Sequence, residues 1–305
     1  MNCELVFNHI VDNTLGYLQH YKLKSMVLGI SGGIDSTVVA AICHEVSKRS
    51  DIRFIGRSLP IKNSVSEVNI ADMVGKALCD DYQECNLGKM YGSVLESING
   101  FEGIELTPIA KGNIQARLRM IYLYNLAGMN GGLVMDTDNR SENLLGFWSV
   151  CGDVGDLKPI GNLFKTEVYE LAEYLTDKYE KEGEFEAAKA IRMSIELKPT
   201  DGLGISDGDE AQIGASYAVV DDIFFTLFTA NHSVQEQMEA FDKLHEKYGQ
   251  DVVHGIIKCN LNTEYKRQPI PTLMLDSDGF GTMAEALRKN HIVVKPSEES
   301  SDGQK

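Results

Sequence analysis

A glycine-rich octapeptide near the start of the chain has the residue types of an anion-binding loop: Gly29-Ile30-Ser31-Gly32-Gly33-Ile34-Asp35-Ser36. The apolar run at residues 24–30 predicts a buried parallel strand, and a helix is predicted from about Ser36. Glycines let main-chain N–H groups approach an anion, and the positive end of the helix dipole attracts it. We therefore predict a phosphate-binding loop at the carboxyl end of a strand.

The acidic residue of this loop, Asp35, helps to distinguish which class of phosphate-binding loop is present. The chain has no GxGxxG motif, and it has no GxxxxGK[ST] motif because neither Gly75-Lys76 nor Gly88-Lys89 is followed by Ser or Thr. A carboxylate beside a phosphate repels it unless a divalent cation lies between them. The loop thus predicts Mg²⁺, with oxygen ligands from Asp35, phosphates and water. The alternative is that Asp35 or Ser36 only caps the helix.

A second polar segment, KGNIQARLRM at residues 111–120, lies in a helix predicted over residues 113–129. Asn113 and Arg117 are four residues apart and share one face of that helix. Arg117 near the helix start adds positive charge to an end that is already positive, which suits a phosphate. The alternative is a solvated basic face.

A third polar segment, DTDNRSE at residues 136–142, follows the last predicted strand. From spacing alone, Asp138 or Asn139 could cap the next helix with Glu142 in its first turn. The alternative is that Glu142 takes part in the chemistry of the site and does not only cap the helix.

The elements that must position these segments alternate over about the first 150 residues, which predicts a doubly wound parallel sheet flanked by helices. Strands are predicted at residues 24–30, 52–59, 82–87 and 131–135, and helices at 1–20, from 36, at 65–78, at 113–129 and through 144–145. Later periodicity predicts helices only, at 165–175, 184–197 and 214–228. The fold class is therefore α/β with a mostly helical C-terminal third.

No boundary between independent domains is evident. We expect an N-terminal helix at residues 1–23, a main domain at 24–270 and a C-terminal extension at 271–305, with a disordered tail from about 296. Residues 198–213 are rich in Gly, Asp and Ser and are predicted to be a mobile loop.

Composition excludes several classes of protein. With 29 basic against 45 acidic residues the formal net charge is −16, which argues against a nucleic-acid-binding surface. The most apolar late stretch, residues 218–230, is broken by Asp221 and Asp222, so no membrane span is predicted. No targeting segment is evident, and six dispersed cysteines without a CxxC pair are typical of reduced thiols. We expect a cytoplasmic protein with neither nucleic-acid nor membrane partners.

The SGGIDS segment at residues 31–36 resembles the PP-loop of the ATP pyrophosphatases, which cleave ATP to AMP and pyrophosphate while adenylating a substrate. Within that superfamily, residues 111–120 resemble the KGNxxARxRM segment of NAD synthetases. Four further segments, at residues 136–142, 146–160, 162–168 and 262–268, resemble NAD synthetase elements in the same order. The resemblance covers about residues 25–270 and implies an adenine nucleotide alpha hydrolase-like fold.

The resemblance also implies roles for individual residues. It implies ATP contacts from the loop, Gly29 to Ser36, and from Thr137, Lys165 and Thr200, and deamido-NAD contacts from Arg117, Asp156, Tyr265 and Lys266. It implies Mg²⁺ ligands at Asp35 and Glu142. Lys165 is expected to stabilise the departing pyrophosphate, and Asp153 to bind or deprotonate ammonium. Asp209-Glu210 matches a later acidic pair of the family.

The sequence departs from the family pattern at several positions. Asp136 replaces the first glycine of the GTxxxxE element, and the stretch between Asp153 and Asp156 is one residue shorter. Val150 stands where many bacterial members have lysine, and Tyr265 replaces the histidine of one subgroup. Contacts to the phosphates of deamido-NAD are therefore expected to be partly redistributed.

The implied reaction is amidation of deamido-NAD by ammonia through an acyl-adenylate. A fused glutaminase would need roughly 250 more residues, so free ammonia is the expected nitrogen source. A homodimer is implied, with a contribution from the apolar face of the N-terminal helix. The rivals are another PP-loop ligase, of the GMP-synthetase or tRNA-modifying kind, and a non-catalytic nucleotide-binding module.

Overall fold

The computed structural model describes residues 1–103, 105–152, 154–197, 208–228 and 234–268. These ranges contain four strands: β1 (Ser25–Gly29), β2 (Arg53–Ser58), β3 (Asp81–Glu84) and β4 (Leu133–Val134). The helices in the same ranges are α1 (Cys3–His20), α2 (Ile34–Lys48), α3 (Val65–Leu78), α4 (Gly88–Glu102), α5 (Pro108–Met129), α6 (Arg140–Leu145), α7 (Lys165–Glu182), α8 (Phe185–Glu196), α9 (Asp209–Ile213), α10 (Tyr217–Phe228), α11 (Val234–Tyr248), α12 (Gln250–Asn262) and α13 (Glu264–Arg267). None of the described helices is both long and apolar enough to cross a bilayer.

The strands form one parallel sheet in the order β3-β2-β1-β4. The strand β1 lies between β2 and β4, and successive side chains point to opposite faces of the sheet. Met26 and Leu28 pack into a core with α2 and α3, whereas Val27 packs against Ala127 of α5. A strand covered on both faces requires an apolar run, so the predicted parallel sheet flanked by helices is confirmed.

The helices after the sheet build two further packing units. The helices α7 and α8 join α1, α2 and α3 in the larger core, which holds Leu171, Leu175 and Ile191. A separate core joins α6 to α10, α11 and α12 through residues such as Leu145, Phe224 and Val253. The second core fixes α6, which begins just beyond the carboxyl end of β4.

Several predicted boundaries were wrong. The helix α5 begins at Pro108, not near residue 113, because Thr107 caps it by accepting a hydrogen bond from Ala110 N–H at 3.2 Å and proline fits its first turn. The helix α4 and the helices α11 to α13 had not been predicted, and α9 lies inside the stretch predicted as a mobile loop. The predictions for residues 198–207 and 271–305 fall outside the described residues.

The apolar face of α1 is used inside the chain. Phe7, Val11 and Leu18 are fully buried against the larger core, whereas Leu5 is exposed. The helix contacts α2 and α7. Most of this face is thus used inside the chain, Leu5 remains exposed, and a contribution of the helix to a subunit interface stays a prediction.

A pair of helical glycines tests how closely α3 packs on the sheet. A Cβ atom on Gly75 would collide with the ring of Tyr82 in β3, whereas one on Gly92 of α4 would meet no atom within 4 Å. We expect Gly75→Ala to lower the free energy of unfolding by about 1–3 kcal/mol, because the ring or the helix must move. Gly92→Ala should raise it by about 0.5–1 kcal/mol through helix propensity. Urea titration checks both, and a stabilised Gly75→Ala protein would contradict the packing.

Candidate active site

The glycine-rich loop joins β1 to α2 at the carboxyl edge of the sheet, as predicted. Gly32 has φ +84°, and a Cβ atom there would lie 2.5 Å from the Glu67 carbonyl oxygen, so only glycine fits. The Ser36 hydroxyl donates to Gly33 O at 3.0 Å and accepts from Ser31 N–H at 3.3 Å, which ties the loop to itself. In the described part of the chain, the N–H groups of Gly32, Ile34 and Asp35 have no hydrogen-bond acceptor.

These donors are what a phosphate cradle requires, because they point from a helix start that carries partial positive charge. The alternative role for Asp35 as a helix cap is not what the structure has. The N-cap is Gly33, without a side-chain hydrogen bond, and the carboxylate of Asp35 turns instead to a lysine.

That lysine is Lys165, whose ammonium bridges two carboxylates. Its Nζ donates to Asp35 Oδ2 in a short ion pair and to Glu142 Oε1 at 3.1 Å. Asn139 Nδ2 donates to the other oxygen of Asp35 at 2.9 Å. The Lys165 side chain is 3% exposed, so the loop, α6 and α7 meet at a nearly dry ion cluster.

Glu142 combines the two roles that the sequence left open. Its Oε2 accepts from Asn139 N–H at 3.2 Å while Asn139 Oδ1 accepts from Glu142 N–H at 3.0 Å, which is a reciprocal capping box at the start of α6. Its other oxygen contacts Lys165. Capping holds the carboxylate in one orientation and leaves Oε1 directed at the cluster.

The cluster is short of positive charge. Burial raises the pKa of Glu142 to about 8, because Asp35 and Asp138 add to the effect and Lys165 only partly offsets it. Burial alone would lower the pKa of Lys165, but Asp35 and Glu142 outweigh it and hold that pKa well above its ordinary value. One ammonium thus serves two carboxylates, and a further cation would be stabilised there.

The two carboxylates suit Mg²⁺. Asp35 and Glu142 contact the same ammonium, so both lie within reach of a single cation. Among the described residues no group of three or more His, Cys, Asp or Glu side chains could hold a metal ion. Two carboxylates fit an ion that takes its remaining ligands from phosphates and water.

Protein groups occupy the first main-chain donors of α7. Lys165 N–H donates to Ser141 Oγ at 2.9 Å and Thr166 N–H to Asp221 Oδ2 at 2.9 Å. The ammonium of Lys165 extends into the site.

A tyrosine covers the cluster on one side. The Lys165 ammonium lies 5.0 Å from the centre of the Tyr217 ring, and the Tyr217 hydroxyl donates to Asp209 Oδ2 at 3.3 Å. Glu210 accepts from Tyr217 N–H at 2.8 Å. The acidic pair at 209–210 therefore holds the start of α10 instead of forming a solvated loop.

A cavity of about 1040 Å³ opens from the ion cluster. Its lining includes the loop, Thr137, Asn113 and Arg117, Trp148, Tyr265 and Lys266. Arg117 lies well inside α5, so the expected reinforcement of a helix start is wrong. Its Nη2 instead donates to Val150 O at 3.2 Å, and its side chain is exposed to the cavity.

Two residues expected to contact the dinucleotide have structural partners. Asp156 Oδ2 accepts from Val134 N–H at 2.9 Å, which holds the end of β4. Lys266 Nζ donates to Gly146 O and Trp148 O, both at 2.6 Å, which holds the turn after α6. Asp153 and Thr200 lie outside the described residues.

Sequence reasoning missed the contacts that three residues make at the site. Tyr217 and Asn139 gave no signal of their contacts, although Asn139 had been considered as a cap. Asp221 did give one, because a carboxylate inside the apolar stretch at residues 218–230 is costly unless it has partners. It had been used only to exclude a membrane span.

The raised pKa of Glu142 predicts how stability depends on pH. A carboxyl group whose folded pKa exceeds its unfolded value of 4.5 costs stability as pH rises from about 4.5 to 8. Glu142→Gln mimics the protonated form, so without nucleotide or Mg²⁺ we expect it to be more stable than wild type at pH 8, by on the order of 1–3 kcal/mol.

Thermal unfolding of the two proteins between pH 5 and 8 measures this difference. The matched control is Glu167→Gln, because Glu167 caps α7 in the same way, accepting from Phe164 N–H at 2.8 Å, without touching the cluster. A stability gap between wild type and Glu142→Gln that stays constant with pH would contradict the assignment.

Comparisons with known proteins place the chain in a family. The NAD synthase family model matches residues 6–270. An NH(3)-dependent NAD(+) synthetase of Pyrococcus furiosus is 29% identical to this chain, and the match covers 87% of this chain and 93% of that protein. Another, of Thermoplasma acidophilum, is 36% identical, and the match covers 67% of this chain and 78% of that protein.

Among solved structures, NMN synthetase from Francisella tularensis has the same fold, with a TM-score of 0.69 and 24% identity over 91% of this chain and 99% of that one. The NH3-dependent NAD synthetase of Campylobacter jejuni has a TM-score of 0.65 and 22% identity over 90% and 100%. With its phosphate loop, ion cluster and extended family match, the chain belongs to the NAD synthase family.

Proposed function

We propose that this member of the family is an ammonia-dependent NAD synthetase. It joins ammonia to the nicotinate carboxylate of deamido-NAD and converts ATP to AMP and pyrophosphate. The observation that carries the proposal is the Asp35–Lys165–Glu142 cluster, which lines a cavity of about 1040 Å³ together with the glycine-rich loop. That volume is at the upper end of ligand sites, as two nucleotides require.

In the first step, the nicotinate carboxylate attacks the α-phosphorus of ATP, and the bond to the β-phosphate breaks. Negative charge collects on the departing pyrophosphate. We propose that the N–H groups of Gly32, Ile34 and Asp35 and the ammonium of Lys165 bind it, which is electrostatic stabilisation of a leaving group. Thr137 at the cavity wall and Thr200 are proposed as further ATP contacts.

Asp35 and Glu142 are the residues that would hold Mg²⁺. When bound, the ion supplies positive charge that the cluster lacks and orients the triphosphate. Two observations support a Mg²⁺ site here: both carboxylates contact the same ammonium, and the pKa of Glu142 is raised. Low exposure of both side chains strengthens their interaction with any cation there.

In the second step, ammonia attacks the acyl-adenylate and AMP leaves. Ammonium must first lose a proton, and we propose Asp153 as the group that binds or deprotonates it. Its neighbours Gly152 and Val154 line the cavity, which supports this assignment. For deamido-NAD we propose contacts from Arg117, Asp156, Tyr265 and Lys266, of which Arg117 and Tyr265 have exposed side chains at the cavity.

A homodimer and a cytoplasmic location belong to the same proposal. The dimer rests on the family resemblance and is checked by light scattering of the purified protein. The location rests on the six dispersed cysteines, all of which are free thiols in the structure.

The decisive assay incubates the protein with ATP, Mg²⁺, ammonia and deamido-NAD. We expect NAD, AMP and pyrophosphate in equal amounts, and Lys165→Met should lower kcat by about 100-fold or more because the leaving group loses its ammonium. Chromatography of the products measures all three. Release of pyrophosphate at the same rate with and without deamido-NAD would favour another PP-loop ligase. Absence of ATP cleavage would favour a non-catalytic binding module. Turnover of nicotinate mononucleotide alone would exclude the dinucleotide as substrate.

Asp153→Asn separates ammonia use from ATP use. We expect the KM for ammonia to rise about tenfold or more, with ATP binding unchanged, because an amide cannot accept the ammonium proton. Asp156→Asn is the matched comparison, since it should affect deamido-NAD before ammonia. Equal losses in ammonia use and ATP binding would reject the role of Asp153.

A further inference from the structure

A buried carboxylate on α10 joins the two helices that carry the ion cluster. Asp221 is 5% exposed and lies between apolar neighbours, Val220 and Ile223, that pack in the second core. One of its oxygens accepts a short hydrogen bond from Ser141 Oγ. The other accepts from Thr166 N–H and Thr166 Oγ1, both at 2.9 Å.

The residues that Asp221 holds are next to the residues of the cluster. Ser141 precedes Glu142 in α6, and Thr166 follows Lys165 in α7. Ser141 Oγ also accepts from Lys165 N–H at 2.9 Å, so the hydroxyl links the two helices directly while it donates to Asp221. Asp221 therefore contacts both helices at the residues next to Glu142 and Lys165.

Asp221 supports the first turn of α7 by accepting from Thr166 N–H, whereas its contact with α6 is through the side chain of Ser141. The start of α6 has the Asn139–Glu142 capping box, and Phe164 N–H at the start of α7 donates to Glu167 Oε2. Burial raises the pKa of Asp221, and the hydrogen bonds from Ser141 and Thr166 offset part of that effect. A carboxylate kept in an apolar core at this cost, with one oxygen bound to α6 and the other to α7, holds one helix against the other.

We propose that Asp221 is a positioning residue that fixes Lys165 relative to Asp35 and Glu142 in the geometry that binds ATP with Mg²⁺. The inference rests on the proposed function for what the site binds. All three of its partners donate to it, and an ionised carboxylate has enough lone pairs for all of them. An amide at this position presents an NH₂ group to one of them.

The test compares Asp221→Asn with Asp222→Asn. Asp222 is the next residue of α10 and is also hydrogen-bonded, to Tyr248 Oη at 2.7 Å and Lys247 Nζ at 3.0 Å, but its partners lie on α11 away from the cluster. For Asp221→Asn we expect the dissociation constant of ATP with Mg²⁺, measured by calorimetry without deamido-NAD, to rise about tenfold. The KM for deamido-NAD should change less than about twofold, and Asp222→Asn should match wild type in both.

A merely structural role would give a different result. Asp221→Asn would then lower the unfolding midpoint while nucleotide affinity, its Mg²⁺ dependence and the kcat of the folded protein stayed at wild-type values, which would overturn the proposal. If Asp221→Asn does not fold, Ser141→Ala, which removes the link to Lys165 N–H but keeps the carboxylate, should weaken ATP binding in the same way. Unchanged ATP binding in Ser141→Ala would overturn it too.

The two proposals fail separately. Wild-type protein that binds ATP with Mg²⁺ but forms no NAD would reject the proposed function, and the calorimetric comparison of Asp221→Asn with Asp222→Asn would still decide the role of Asp221.

Discussion

One ammonium between two carboxylates is the interaction on which the site depends. Lys165 touches Asp35 of the loop and Glu142 of α6, so three separate segments converge on a single charge. Each charged group would be costly alone in this nearly dry place, and removing the ammonium would leave two buried carboxylates without a counter-charge. The cluster therefore requires the loop, α6 and α7 to be placed accurately relative to one another. Its remaining negative charge suits it to a second cation.

The rest of the fold holds these three segments in place. Parallel strands bring the loop and the end of β4 to the same edge, while the core of α6, α10, α11 and α12 holds the helix that carries Glu142. The helix α13 is fastened to the end of α6 and the turn after it: Arg267 donates to Asn143 O and Leu144 O, and Lys266 to Gly146 O. Segments that are distant in sequence thus position the carboxylate of Glu142 together.

Much of this was visible in the sequence, because the features with strong local signals are also those that build the site. The apolar run of β1, the glycines after it and Lys165 at a helix start each have a direct physical meaning. The start of α5 was placed too late because Thr107-Pro108 was not recognised as a cap. The partners of Asp156 and Asp221 could not be deduced, since they depend on contacts between segments far apart along the chain. Buried carboxylates indicate that partners exist but not which ones.

The chain contains a single tryptophan, and the fold puts it at the cavity wall. The indole of Trp148 lies 5.6 Å from the Lys158 ammonium and 5.3 Å from that of Lys266. Two nearby cations and a half-buried ring make its emission sensitive to any change in local field or solvent. The protein therefore carries its own optical reporter, which follows occupancy of the cavity without an attached dye.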